Sequence, residues 1–151
     1  MITDAQWLGL VARSESNYPH VWQPIMWVVR NRVEGIEYPA SYGKVVTDDF
    51  QFSYFNKFRH IDDPCEVYYE ATKGYAGDSK GWGGDDLGKA ISCAWHVLGQ
   101  PRYMCPFSHR TYWFWSRVSM NPPGTDPKWA VDMRKFSLSG IDPERFMFAE
   151  R

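Results

Sequence analysis

The sequence predicts a mainly helical α+β fold. Apolar residues recur at helical spacing through the first two thirds of the chain, and an aromatic run with strand propensity follows later. The length of 151 residues suits one domain, and 44% hydrophobic and 23% charged residues are typical of globular proteins. No repeat or long linker divides the chain, so we predict a single domain over residues 1–151.

Two helices are predicted in the first 35 residues. The first spans about Asp4–Glu15, where Thr3 and Gln6 have capping-box spacing and Asp4 is the alternative cap. The tripeptide at 17–19 contains a proline and ends this helix. The second spans about Val21–Glu34, with Pro24 in its first turn and one apolar face.

The middle of the chain is predicted to hold shorter elements. We expect one turn at Tyr42–Val46 and then an aromatic loop over residues 48–55. A third helix capped by Asp62 or Asp63 runs to about Lys73, and a glycine-rich loop containing Trp82 follows over residues 74–84.

A fourth helix opens at Asp85 and stops at residues 99–101. We expect His96 on this helix to be partly buried. Its predicted buried side carries six apolar residues: Leu87, Ala90, Ile91, Ala94, Trp95 and Leu98. Beyond this helix, we predict a strand over Thr111–Ser116 and a turn over residues 121–124. Lys128–Leu138 and Glu144–Phe148 are predicted to form a small sheet or hairpin.

Charge and composition exclude several classes of protein. Lys and Arg number 17 against 18 Asp and Glu, which argues against a nucleic-acid binder. The three cysteines are irregularly spaced, and no zinc-binding motif is present, so we expect neither a disulfide framework nor a metal. We see no secretory signal and no run of about 20 apolar residues, which predicts a cytoplasmic start and no membrane span.

Aromatic residues are unusually abundant, at 17% of the chain with 8 Trp. Flat rings either fill the core or line a groove, where they stack on sugars or bases. Trp113, Trp115 and Trp129 fit both roles, and the sequence does not decide between them.

Glu15 is the first candidate for chemistry. It ends an apolar helix immediately before a proline-containing segment and a second apolar helix. A carboxyl between two buried helices is partly desolvated, which raises its pKa toward the range that a general acid needs at neutral pH. The alternative is a surface glutamate at a helix end.

The second candidate is Gln51-Phe52-Ser53. Gln51 and Ser53 offer neutral hydrogen bonds, and the neighbouring aromatic residues offer flat faces, a combination that suits a carbohydrate groove. The alternative is a loop that packs its rings inward.

The order of these motifs resembles the cell wall hydrolase family that includes spore-cortex-lytic enzymes and related phage lysis proteins. The matching segments are Ala12–Ser16, Ile25–Val33, Val45-Val46, Gln51–Ser53, Ala90–Gly99, Ser108–Trp115, Pro127–Ala130 and Phe146–Phe148. Two departures are Ser14 and Ser16 beside the glutamate, and Tyr112 or His109 where the family has a Thr-His motif.

The resemblance implies a fold similar to goose-type lysozyme and the lytic transglycosylases. It also implies cleavage of the peptidoglycan bond between N-acetylmuramic acid and N-acetylglucosamine, with Glu15 as general acid and base and no cofactor. A hydrolase would need a second carboxylate, for which Asp48 and Asp49 are the nearby candidates. A lytic transglycosylase uses the substrate's own 6-hydroxyl instead, and the resemblance favours this route.

The resemblance also suggests which residues contact the glycan. We expect substrate binding by the Gln51–Ser53 segment, by Tyr112 and Trp113, and by Asn31. For Asn31 the alternative, which we favour, is a structural hydrogen bond to the loop that carries Gln51. Arg30 and Arg32 are expected to support the helix face or to pair with carboxylates.

A wall-degrading enzyme without a signal predicts a phage setting. The protein would be either an endolysin released from the host cytoplasm or an enzyme carried in the virion beside other virion proteins. A different class of function is a catalytically silent structural or wall-binding protein with the same fold.

Overall fold

The computed structural model describes residues 1–48, 51–75 and 84–151. Within them the chain is mainly helical and carries one three-stranded antiparallel sheet, as the sequence predicts. The elements are α1 (Asp4–Glu15), α2 (Pro19–Glu34), α3 (Tyr42–Thr47), α4 (Pro64–Thr72), α5 (Gly84–Gly99), β1 (Thr111–Trp115), β2 (Arg134–Phe136) and β3 (Met147–Glu150), with short 3₁₀ turns between them.

Helix α1 has the predicted bounds, and its start is a complete capping box. The Thr3 hydroxyl accepts from the Gln6 backbone N–H at 3.1 Å, and the Gln6 side chain accepts from the Thr3 N–H at 2.8 Å. These two bonds satisfy donors that a helix start otherwise leaves unpaired. The capping box fixes the residue at which α1 begins, and Glu15 is the last residue of this helix.

Helix α2 begins at Pro19, two residues earlier than predicted. Pro19 occupies the first turn, where a missing N–H does no harm, so the proline in the segment that ends the first helix also starts the second. Pro24 consequently lies inside the helix, one turn deeper than predicted. Burial of every residue from Val21 to Arg32 except the exposed Gln23 offsets the hydrogen bond that Pro24 cannot make.

The middle of the chain follows the prediction with one correction. Helix α3 contains the expected turn, and α4 starts at Pro64 with Asp63 as its cap. The aromatic segment, however, is not all loop: Ser53–Phe58 forms a 3₁₀ helix whose rings pack on one another. The predicted glycine-rich loop with Trp82 lies almost wholly outside the described residues.

Helix α5 corrects two predictions about burial. Trp95 is 59% exposed and His96 is also exposed, although both were expected to be at least partly buried. The buried face runs instead through Ala90, Ala94 and Val97, at the i, i+4 and i+7 spacing of one helix side. The small residues on that face let α5 lie close against α1.

The sheet has the order β1-β3-β2, with both pairs antiparallel. Phe148 in the central strand faces Phe114 of β1 and Phe136 of β2 and is fully buried. Strand β3 starts three residues later than predicted, and residues 128–130 of the predicted second strand form a 3₁₀ turn. The sheet packs its Phe148 face against the helices and so closes one side of the core.

Candidate functional site

Glu15 is the last residue of α1, where the helix breaks sharply. Ser16 takes an extended conformation, and its carbonyl oxygen accepts a 2.8 Å hydrogen bond from the indole Nε1 of buried Trp22. The bond ties the break point to α2. Glu15 therefore projects from a rigid junction of two buried helices, as its position in the sequence suggested.

A cleft of about 280 Å³ opens at this junction. That volume lies near the lower end of ligand pockets, which run from about 300 to 1,000 Å³. One wall is the segment 14–18 after α1, and the other comes from the C-terminal part of the chain. The residues of the second wall are Ser116, Val118, Ser119, Arg145 and Phe146.

The carboxyl of Glu15 is in an unusual electrostatic state. Its Oε1 is buried and makes no hydrogen bond within the part of the chain that the structure describes. Burial raises the pKa of Glu15 from 4.5 to about 7, and the positive charge of Arg32 opposes this rise. At neutral pH the group is therefore close to half protonated and can both give and take a proton.

Arg32 is a buried cation on α2 that interacts electrostatically with this carboxyl. Its Nε donates to the Tyr112 carbonyl oxygen at 2.7 Å, and its Nη1 donates to the Gln51 side-chain oxygen at 3.0 Å. The guanidinium also lies 5.2 Å from the ring centres of Tyr38 and Phe52. Hydrogen bonds and ring faces together compensate the cost of burying its charge.

The Gln51–Ser53 segment splits into two environments. Gln51 and Ser53 are exposed, whereas Phe52 is 2% exposed and packs near Phe114 of β1. Its ring is therefore part of the core and offers no open face to a sugar. Gln51 does not line the Glu15 cleft; it is bonded to Arg32, which interacts electrostatically with the carboxyl of Glu15.

Asn31 is fully buried and anchors the start of β1. Its Nδ2 donates to the Thr111 carbonyl at 3.1 Å and to the Ser108 carbonyl at 3.3 Å. The sequence suggested a bond from Asn31 to the loop that carries Gln51, and it is the neighbouring Arg32 that bonds this loop, at Gln51. Asn31 has the structural role, though its partners lie in a different segment from the one expected.

Tyr112 and Trp113 lie on β1, outside the lining of the Glu15 cleft. Tyr112 is 8% exposed and its ring packs 5.2 Å from that of Tyr38. Trp113 is half-buried beneath the guanidinium of Arg151. His109 bonds the Arg102 carbonyl at 3.0 Å and likewise does not line the cleft.

The other two tryptophans divide between core and surface. Trp115 is 6% exposed, and its indole donates to Asp126 at 3.1 Å. Trp129 packs edge-on against Trp115 and is 51% exposed. The abundance of aromatic residues thus serves both the core and the surface.

The described residues that line the cleft include one carboxylic acid, Glu15. Asp48 is exposed and interacts electrostatically with Arg32, while Asp49 lies outside the described residues.

Sequence reasoning missed Arg145, which lines the cleft and whose guanidinium lies 4.7 Å from the ring centre of Tyr18. It also missed Ser116, whose position at the end of a predicted strand was the available signal.

A larger cavity of about 640 Å³ lies elsewhere, between the start of α2, the end of α5 and residues 138–141. Its described lining contains His20 and two glutamines but no carboxylic acid. Acid catalysis is therefore better supported at the smaller cleft. Across the described ranges, no group of three or more His, Cys, Asp and Glu side chains could hold a metal ion.

Comparison with protein families, with curated proteins and with solved structures gives no match for this chain. In residues 1–48, 51–75 and 84–151, every helix is too short or too polar to cross a membrane.

Proposed function

We propose that this protein cleaves the glycan strand of peptidoglycan, with Glu15 as general acid and base. The observation that carries the proposal is a glutamate at the break between two buried helices, which lines a cleft and has one buried carboxyl oxygen with no hydrogen bond among the described residues. A pKa of about 7 matches the proton-transfer role at neutral pH. The resemblance of the motif order to cell wall hydrolases supplies the substrate class.

In the proposed reaction, protonated Glu15 gives its proton to the oxygen of the bond between N-acetylmuramic acid and N-acetylglucosamine. The C–O bond breaks through an oxocarbenium-like transition state, and the leaving sugar departs as an alcohol. The carboxylate then takes the proton of the muramic 6-hydroxyl, whose oxygen bonds to C1. Glu15 is protonated again at the end, and the product is a 1,6-anhydro ring.

We favour this transglycosylase route over hydrolysis because one acid lines the described cleft. Inverting and retaining hydrolases both need a second carboxyl group, at roughly 5–9.5 Å from the first. Asp48 is exposed and belongs to the surroundings of Arg32. An intramolecular nucleophile removes the need for a second group and places the attacking oxygen close to the reacting carbon.

The test is mass spectrometry of purified peptidoglycan after digestion. Wild type is expected to release fragments with 1,6-anhydromuramic ends, which are lighter by one water than hydrolytic products. Glu15→Gln is expected to lose about 10²–10⁴-fold in rate, the usual effect of removing a positioned acid–base group. Glu70→Gln is the matched control, because Glu70 is exposed on α4 and pairs with Lys73.

Three results would redirect the proposal. Reducing muramic ends together with an inactive Asp48→Asn or Asp49→Asn variant would identify a two-carboxylate hydrolase. Equal loss in Glu15→Gln and Glu70→Gln would remove Glu15 from the chemistry. Absence of cleavage by wild type, with binding to wall fragments retained, would favour a catalytically silent wall-binding protein.

We also propose that the fold is lysozyme-like and that the protein serves a phage, as an endolysin or as part of the particle. The support is the resemblance, together with an acid at the end of the first long helix facing the segments that flank a small sheet. Detection in purified virions would favour the particle-borne enzyme, and its absence there would favour the endolysin.

A further inference from the structure

Arg32 connects three separate parts of the fold at one buried point. It belongs to α2, its Nε bonds the backbone of β1 at Tyr112, and its Nη1 bonds Gln51 before the 3₁₀ helix. The side chain is 4% exposed. A charge so buried keeps one position, because each alternative orientation would leave it without these partners.

The same side chain is flanked by rings on two sides, those of Tyr38 and Phe52, each 5.2 Å from the guanidinium carbon. Phe52 is itself held in the core. The guanidinium therefore donates hydrogen bonds from Nε and Nη1 and has two aromatic rings close by. Lysine could supply the charge but not this directional arrangement.

We propose that Arg32 is the positioning residue of the site, holding a permanent positive charge beside the Glu15 carboxyl and fixing the Gln51 segment at the same time. The inference rests on the proposed function for its catalytic meaning, but the arrangement itself is testable without catalysis. On this inference, Gln51 anchors Arg32 through their hydrogen bond. It does not make the direct substrate contact that the sequence suggested.

In the proposed reaction, a positive charge near Glu15 affects both proton transfers. Glu15 must release a proton in the first step and accept one in the second, so neither form can be strongly favoured. Burial alone favours the protonated form, and a nearby cation favours the carboxylate. The charge of Arg32 opposes the rise that burial causes in the pKa of Glu15, and so keeps that pKa near neutral pH.

Other titratable groups lie around this carboxyl. Tyr75, in the turn after α4, interacts with it electrostatically, and Arg13 on α1 lies 5.0 Å from the Tyr75 ring. Arg145 lines the same cleft. Asp48 acts on Arg32 rather than directly on Glu15. A test of the inference must therefore change Arg32 while leaving these groups in place.

The experiment is a carboxyl ¹³C NMR titration of the full chain, with the Glu15 signal assigned by its loss in Glu15→Gln. Arg32→Met and Arg32→Lys form the key pair, because both lose the guanidinium bonds and differ in charge. We expect the Glu15 midpoint to rise by about one pH unit in Arg32→Met and to stay nearer wild type in Arg32→Lys.

Gln51→Glu covers the case in which the Arg32 variants do not fold. Gln51 is exposed, and the new carboxylate would pair with Arg32 and cancel its field at Glu15. The midpoint is expected to rise. Gln23→Glu, the same change at an exposed position of α2 away from the Glu15 cleft, is expected to leave it unchanged.

A midpoint in Arg32→Met no higher than in Arg32→Lys would overturn the inference. So would equal midpoints in Gln51→Glu and Gln23→Glu. Failure of the proposed function looks different: wild type would then release no glycan fragments while the titration still follows the charge at position 32. If cleavage occurs, the alkaline limb of kcat/KM should move with the titration midpoint.

Discussion

The two walls of the Glu15 cleft come from parts of the molecule built in different ways. The wall at the end of α1 belongs to a helical half in which α1, α2 and α5 share a continuous apolar core. The opposite wall, residues 116–119 and 145–146, belongs to a C-terminal half in which charged contacts hold the loops. The acid thus rests on the apolar framework; facing it, the 116–119 segment is tied by polar contacts, while Phe146 belongs to the apolar core.

Arg117 is the centre of the polar wall. It lies within ion-pair distance of Asp126 at 3.0 Å and of Glu144 at 3.4 Å, and Asp126 also accepts from the Trp115 indole. Partly exposed ion pairs contribute little to stability, but together they define where a loop sits. We therefore expect the helical half to govern stability and the C-terminal half to govern the shape of the cleft.

The largest predicted effect concerns the buried carboxyl of Glu15 in the helical half. The pKa of Glu15 is about 7 in the folded protein and 4.5 when unperturbed, so between these values the folded state binds more protons than the unfolded state. Stability therefore falls as pH rises from about 4.5 to 7, by about 3 kcal/mol from this group.

Denaturant unfolding of wild type and Glu15→Gln at pH 4 and pH 8 measures this contribution. The free energy of unfolding of the variant, relative to wild type, is expected to be higher at pH 8 than at pH 4. The same difference at both pH values would show that Glu15 is not desolvated in the folded protein.

A second prediction concerns the crossing of α1 and α5. A Cβ added at Gly9 would lie 2.6–2.8 Å from the Cγ1, N and Cα atoms of Ile91, too close for any real contact. Overpacking costs about 1–3 kcal/mol, against which alanine gains up to about 1 kcal/mol in helix propensity. Gly9→Ala is expected to lose about 2 kcal/mol in thermal or denaturant unfolding.

Gly88 on α5 provides the control, since a Cβ there would meet nothing within 4 Å. Gly88→Ala is expected to gain up to about 1 kcal/mol from helix propensity alone. If both variants were stabilised, the close packing of the two helices would be wrong.

The smallest expected stability effect is in the C-terminal half. Arg117→Met should change the free energy of unfolding by under about 1 kcal/mol, because the ion pairs are partly exposed. Its effect on glycan cleavage should be larger, a several-fold drop in kcat/KM, because the wall at 116–119 loses its anchor.

Arg134→Met is the control. It removes the ion pair between Arg134 on β2 and Glu150 on β3, away from the cleft, and should leave kcat/KM unchanged. Parallel losses in the two variants would argue against a special role for the Arg117 cluster.

Sequence reasoning predicted the elements whose signals are local. Helix α1 has a capping box and a clear apolar period, and α4 has an aspartate followed by proline, so their starts could be predicted. The position of Glu15 at the end of α1 followed from the same signals. Burial on α5 was harder, because small and large apolar residues alternate there and the period alone placed Trp95 on the wrong side.

What the sequence could not reveal depends on contacts between distant segments. Asn31 and Arg32 are adjacent polar residues in one helix, and only the packing of β1 and the Gln51 segment determines which of them meets Gln51. The strand order is similarly non-local, since β1 and β2 both pair with β3 and not with each other. Helical period carries no information about either pairing.

The central position of β3 has a consequence for the order of folding. Residues 147–150 pair with both other strands, so β1 and β2 leave the ribosome before the partner that joins them. The helices can pack earlier, whereas the C-terminal wall of the cleft must wait for long-range pairing. Until then Phe114 and Phe136 lack the Phe148 ring against which they pack. The nascent chain therefore passes through a stage in which Glu15 already stands at the end of its helix while the surface opposite it has not yet formed.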